Sequence, residues 1–156
     1  MTGHMAKIMT REELKSKWPI LRTIRLEHGP GWYEIIDRIM AAICAAGFDP
    51  ERDEIQQIKE KFGTLRVYVS CDVRHEASDE SQYSQTGNRF ERILSAIKAS
   101  DTSDKTCEEC GKPGRLLVSA GWWSTRCSEH AQADAFSPSE YYALKEMKLN
   151  RSDDGR

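Results

Sequence analysis

Four side chains in the C-terminal third of the chain have the types and spacing of a metal site. Cys107 and Cys110 are separated by two residues, as are Cys127 and His130, and sixteen residues lie between the two pairs. A two-residue gap lets both members of a pair turn onto one ion, and three thiolates with one imidazole suit tetrahedral zinc, Zn2+. Gly111 follows Cys110 and fits a tight knuckle whose amides donate to the sulfurs. Four protein ligands would leave no open position for a catalytic water, so the expected role of the ion is structural. The competing reading, disulfides among these cysteines, is disfavoured in a reducing compartment. The thiolate complex would be negative, and Arg115 or Arg126 stands close enough in sequence to compensate it.

The segments around the ligands say how they would be held. Arg115 to Val118 and Trp122 to Thr125 read as two short strands turning at Ala120-Gly121. Cys127 is then expected to open a helix with His130 at i+3, where the helix N-terminus favours thiolate charge. Knuckle, hairpin and ligand-bearing helix is the order of a treble-clef finger. That scaffold also serves HNH nucleases, whose chemistry needs a general-base histidine beside further ligands. The only histidine of this finger, His130, is already used, and no catalytic residue is assigned. Neighbours on a strand point to opposite faces, so Trp122 and Trp123 cannot share one small core. One packs on the finger; the other either docks against the N-terminal body or stands out as an anchor for a protein or an unstacked base.

The preceding residues read as an α+β body, with helices packed on a small antiparallel hairpin. Thr10-Arg-Glu-Glu13 is a capping box that opens a helix carrying Leu14 and Trp18, ended by Pro19. Residues 20–27 are ambiguous between helix and strand. After the breaker Gly29-Pro30-Gly31, the apolar residues Trp32, Ile35, Ile36, Ile39, Met40 and Ile43 follow helical spacing, with Gly47 placed as the left-handed C-cap. Ile55 to Lys61 and Leu65 to Ser70 flank Phe62-Gly63-Thr64 as a hairpin, the second arm alternating apolar and polar. Residues 72–88 are polar and expected as a mobile loop; a helix carrying Phe90, Ile93, Leu94 and Ile97 follows, then a polar linker over 100–106. Ser137-Pro138-Ser139-Glu140 caps the last helix, whose Tyr141, Leu144, Lys145 and Leu149 precede a tail, 150–156, expected to be disordered. The organisation is thus a tag-like or disordered stretch 1–9, a body 10–104, the finger with its C-terminal helix 105–149, and the tail. Gly3-His4-Met5 has the look of a cloning remnant, with a natural start at Met5 or Met9.

Other reactive side chains have plainer readings. Cys44 sits at the edge of the apolar stripe as a small filler, and Cys71 ends a strand with no base in view. His28 and Asp37 are close in sequence, yet no nucleophile, phosphate loop or cofactor fingerprint accompanies them. Lysine and arginine total 23 against 25 acidic residues, a net charge of −2 in 156 residues, which argues against strong generic polyanion binding. Lys59, Lys61 and Arg66 around the hairpin, with Arg89, Arg92 and Lys98 beyond it, could line a phosphate-binding face. The interleaved Glu54, Glu60 and Glu91 favour a solvated surface instead. No apolar run approaches the roughly 18 residues of a membrane span, and the N-terminus carries no apolar signal region.

Three segments in order, Gly29-Pro-Gly-Trp-Tyr-Glu-Ile-Ile-Asp37, Gln57-Ile-Lys-Glu-Lys-Phe-Gly-Thr-Leu-Arg-Val-Tyr68, and Cys107-Glu-Glu-Cys-Gly-Lys-Pro-Gly114 with Gly121-Trp-Trp-Ser-Thr-Arg-Cys-Ser-Glu-His-Ala131, resemble a family of small, mostly uncharacterised zinc-finger proteins encoded by bacteriophages and prophages. The resemblance covers about residues 10–131 and implies action in the bacterial cytoplasm. It transfers the zinc ligands Cys107, Cys110, Cys127 and His130 and no catalytic residue. The expected function is therefore binding of a host or defence protein, with Trp122, Trp123, Lys59, Lys61 and Arg66 as candidate contacts. The alternative is a nucleic-acid-binding or transcription-modulating zinc protein.

Overall fold

The apolar stripe over residues 32–43 organises the fold. In the computed structural model, residues 8–72 and 80–153 are described, the stretches 80–88 and 150–153 by backbone path alone. The molecule is α+β, with helices α1 (Arg11–Lys17), α2 (Tyr33–Ala45), α3 (Glu80–Ser100) and α4 (Pro138–Asp153). Strands β1 (Leu26–Glu27), β2 (Glu54–Lys61) and β3 (Thr64–Ser70) form one sheet, and β4 (Arg115–Ser119) and β5 (Trp122–Arg126) a second. The α2 residues Ile35, Ile36, Ile39, Met40 and Ile43 are all buried, together with Leu14 and Leu21 from the N-terminal segment, Ile55, Ile58 and Leu65 from the sheet and Ile93 from α3.

The caps form as the local sequence dictates. Thr10 Oγ1 accepts the Glu13 amide at 3.1 Å while Glu13 returns to the Thr10 amide at 2.7 Å. At the end of α2, Gly47 has φ 106°, and the Phe48 amide reaches back to the Ile43 carbonyl at 2.9 Å, closing the helix in the left-handed manner. Ser137 and Glu140 make the second capping box, with 2.8 and 3.3 Å bonds.

The sheet departs from the expected two-stranded hairpin. β2 and β3 pair antiparallel around Phe62-Gly63, both with positive φ, as a two-residue turn of the primed type requires. The ambiguous stretch 20–27 supplies a third strand: β1 runs parallel to β2, with Leu26 opposite Ile58. Two residues are too few to show a period, so local pattern could not reveal this strand.

Two boundaries are corrected. The loop expected over 72–88 is helical from Glu80, while residues 73–79 lie outside the described residues. Once packing of Arg89 to Ile97 supports a helix, each further turn adds hydrogen bonds without a new nucleation cost, so few apolar anchors are needed. The tail expected from Asn150 continues α4 to Asp153 for the same reason, and 154–156 lie outside the described residues. The 100–106 linker is also more than a spacer. Ser103 is fully buried, and its Oγ accepts the Leu65 amide of β3 at 2.8 Å.

A buried ion pair ties α3 to the body. Arg89 Nη1 lies 2.8 Å from Asp53 Oδ2 and 3.1 Å from the Gly47 carbonyl oxygen, and Asp53 also accepts the amides of Asp49 (2.8 Å) and Asp72 (3.1 Å). Removing the carboxylate would strand a buried guanidinium and two amides. Asp53→Ala is expected to cost about 3–5 kcal/mol, read as a lower urea midpoint; an unchanged midpoint would contradict this account.

Candidate metal centre

The four predicted ligands converge. One donor atom from each of Cys107, Cys110, Cys127 and His130 lies within 4.8 Å of all the others, a group that could hold a metal ion. Cys110 Sγ to Cys127 Sγ is 3.7 Å, and His130 Nδ1 stands 3.6 Å from Cys107 Sγ and 3.2 Å from Cys127 Sγ. Tetrahedral bonds of about 2.3 Å to sulfur and 2.0 Å to nitrogen imply edges of roughly 3.5–3.8 Å. The donor set and spacing are thus consistent with zinc.

Local backbone shapes the first pair. Gly111 has φ 71°, and its amide returns to the Cys107 carbonyl at 2.9 Å, closing the knuckle. The Lys112 amide donates to the Cys110 sulfur. The second pair is held differently from the expectation. Cys127 and His130 sit on a single turn, closed by the His130 and Ala131 amides on the Cys127 carbonyl at 3.2 and 2.9 Å, with no helix following. The chain is instead drawn back to the open edge of β4, where Val118 and Phe136 exchange amide bonds of 2.8 and 2.9 Å. The helix expected from Cys127 is therefore absent, and α4 begins only at Pro138.

The thiols differ electrostatically. Burial pushes Cys110 up to about 11, partly opposed by the Lys112 amide. Burial would also raise Cys127, but the His130 side chain and amide, with the neighbouring thiols, outweigh it and bring it to about 6. Cys127 would therefore offer its thiolate to a metal more readily than Cys110, whose proton has to be displaced. The cation that feels the sulfurs is Lys112, which also bonds both Glu129 oxygens at 2.8 and 2.9 Å. Arg126 is occupied elsewhere, by Glu108 (3.3 Å) and Glu109 (3.2 Å).

The knuckle is clamped to the start of α2. Gly31 donates its amide to the Glu108 carbonyl at 2.7 Å, Gly29 to the Glu108 carboxylate at 2.9 Å, and the buried Trp32 indole to the Thr106 carbonyl at 2.8 Å. A Cβ on Gly31 would overlap the Cys107 carbonyl oxygen and the Gly111 amide nitrogen. Gly29-Pro30-Gly31 is therefore a docking point for the knuckle as well as the helix breaker that its residue types predict. The signal available was two glycines flanking a proline directly before a tryptophan.

The remaining candidates separate. Trp123 packs by its ring against Tyr141 and Tyr142 of α4, at centroid distances of 6.4 and 6.1 Å. Trp122 is 81 % exposed. Lys59 and Arg66 stand opposite each other in register on the sheet, with Lys61 two residues on, whereas Arg89 is withdrawn into its buried pair with Asp53. Asp37 is held by Lys17 and by the Trp18 indole at 2.8 and 2.7 Å. His28 stacks on Trp32, and burial lowers its pKa, opposed by its bond to the Gly29 carbonyl and aided by Arg11. Partly buried Cys44 has its thiol pushed up by burial, as a filler would.

No helix among the described residues is long and apolar enough to cross a membrane. In comparisons with protein-family models, with curated proteins and with solved structures, nothing matches this chain.

Gly31→Ala is expected to lower zinc affinity, measured by competition with a chromophoric chelator, and to destabilise the loaded protein by about 1–3 kcal/mol, the usual cost of overpacking. Zinc affinity should also rise with pH, by about tenfold per unit for each thiol proton displaced. A pH-independent affinity between pH 6 and 8 would contradict the thiol states given above.

Proposed function

We propose that the chain is a binding protein of bacteriophage or prophage origin, in which a structural zinc ion rigidifies a finger that presents Trp122 to a host or defence protein in the bacterial cytoplasm. The observation that carries this reading is the 81 % exposure of Trp122 on a hairpin braced from both sides. Its strand neighbour Trp123 is pinned by the two tyrosines of α4, and the turn between β4 and β5 is fixed by positive φ at Ala120 and Gly121. A large aromatic held out on a rigid element loses little entropy on binding and is the type of side chain that dominates protein interfaces. The origin rests on the resemblance of the three sequence segments.

In this reading the finger is a shortened treble clef, the usual ligand-bearing helix reduced to the one turn of Cys127 to His130. Zinc would be held by Cys107, Cys110, Cys127 and His130 and would supply folding energy to a segment too small to bury a core of its own. With all four positions taken by protein, the ion is given no catalytic part.

Affinity capture from phage-infected cells tests the reading with three zinc-loaded proteins: the unsubstituted chain, Trp122→Ala and Trp123→Ala. Trp122→Ala should keep its stability within about 0.5 kcal/mol, as exposed positions do, yet lose the captured partner. Trp123→Ala should destabilise the finger instead. A stable Trp122→Ala protein that retains the same partner and the same effect on infection would overturn the proposal.

A further inference from the structure

The three-stranded sheet buries one face and turns the other outward. Ile58 and Leu65 enter the core, and strand pairing puts Ile58 opposite Val67 and Glu60 opposite Leu65 on that inner side. The alternate positions, Gln57 opposite Tyr68, Lys59 opposite Arg66 and Lys61 opposite Thr64, share the outer side. Glu60, which separates the two lysines in sequence, is thus taken off their face, and its carboxylate accepts the Gly63 amide at 2.5 Å. Charges that cancel along the chain are sorted by the strand period onto different sides.

Aromatic rings alternate with these cations. The Lys59 ammonium lies 5.5 Å from the Tyr68 ring centroid, and the Lys61 ammonium 5.5 Å from that of Phe62. Tyr68 is 40 % exposed and Phe62 63 %. Phe62 also holds φ 52°, which costs a residue with a Cβ about 1–2 kcal/mol relative to glycine. The turn would accept Asn-Gly or Gly-Gly with less strain and no exposed ring, so the fold alone does not call for phenylalanine here. Of the carboxylates on this face, Glu27 is the register partner of Lys59 across β1 and β2, where it also bonds the Gln57 amide at 3.4 Å and lies 3.6 Å from Arg25, and Glu54 is at the opposite end of β2, away from Lys61, Phe62 and Arg66.

We propose that this outer sheet face binds single-stranded nucleic acid, with Lys59, Lys61 and Arg66 on phosphates and with Tyr68 and Phe62 stacking on unpaired bases. Exposed rings flanked by cations match a strand whose bases are free to stack, and the base-independent π contact makes recognition tolerant of sequence. The local charge, not the net charge of −2, sets the attraction. Three phosphate contacts imply that log K falls with log salt with a slope of about −2, from roughly −0.7 per contact on single strands.

The test is fluorescence anisotropy with the zinc-loaded full chain, using labelled dT12, rU12, a twelve-base-pair duplex and an oligoglutamate peptide at 50 mM salt. Single strands should bind, the duplex and the peptide more weakly, with the stated salt slope. Phe62→Gly, which relieves the turn while removing the ring, should weaken strand binding about tenfold or more without loss of thermal stability. Tyr68→Ala and the combined Lys59→Gln, Lys61→Gln and Arg66→Gln protein should do the same, and Trp122→Ala should leave strand affinity unchanged. The proposal is overturned by no anisotropy change at 50 mM salt, by equal binding of duplex and strand with Phe62→Gly silent, or by tighter binding of the acidic peptide than of either strand.

Discussion

The hydrogen bonds between the metal knuckle and the turn that opens α2 are what the rest of the molecule depends on. The Gly31 amide reaches the Glu108 carbonyl and the Trp32 indole the Thr106 carbonyl, across 77 and 74 residues of sequence. Each such bond is worth only about 0.5–1.5 kcal/mol net, but a buried donor left without its acceptor costs more than that. Trp32 is also fully buried in the main core. One residue thus belongs to both the apolar cluster and the support of the metal site. The binding energy of a metal held by the four donors, which for a free-standing finger would order only the finger, would reach the body through this seam.

A second seam lies at the tip of the first hairpin. The Thr125 hydroxyl of β5 donates to the Gly63 carbonyl at 2.7 Å, and a Cβ on Gly63 would overlap the Leu116 side chain of β4. The two glycine-bearing turns therefore do the same task from different places: each lets backbone approach the finger where a side chain would hold it off. The segments around Gly31, around Gly63 and around the four ligand residues meet here. The exposed positions Trp122, Tyr68 and Phe62 face away from the core and leave the seams intact.

Electrostatics follow the same geometric logic. Arg89 and Lys59 look alike in a count of basic residues, but one is buried against Asp53 and the other is displayed on a sheet face. Glu60 and Glu108 are likewise spent on Gly63 and Gly29 amides rather than on surface charge. A net charge near zero therefore describes the chain and not any one of its faces.

What the amino-acid sequence determined alone is what interactions within a few residues can decide. The capping boxes at Thr10 and Ser137, the stripe and left-handed cap of α2, the alternation in β3 and the pairing of ligands two residues apart are all local, and all appear in the structure. The tertiary structure alone decided what depends on partners far along the chain. β1 exists because Leu26 finds Ile58, and Cys127 to His130 stops at one turn because Phe136 is drawn to Val118. Ser103 leaves a polar linker for the core because Leu65 needs an acceptor. The strand period sends Trp122 and Trp123 to opposite faces, but only the arrival of Tyr141 and Tyr142 decides which ring is covered. Local spacing fixes which donors and which face a segment offers; the long-range contact that satisfies them fixes where the segment ends.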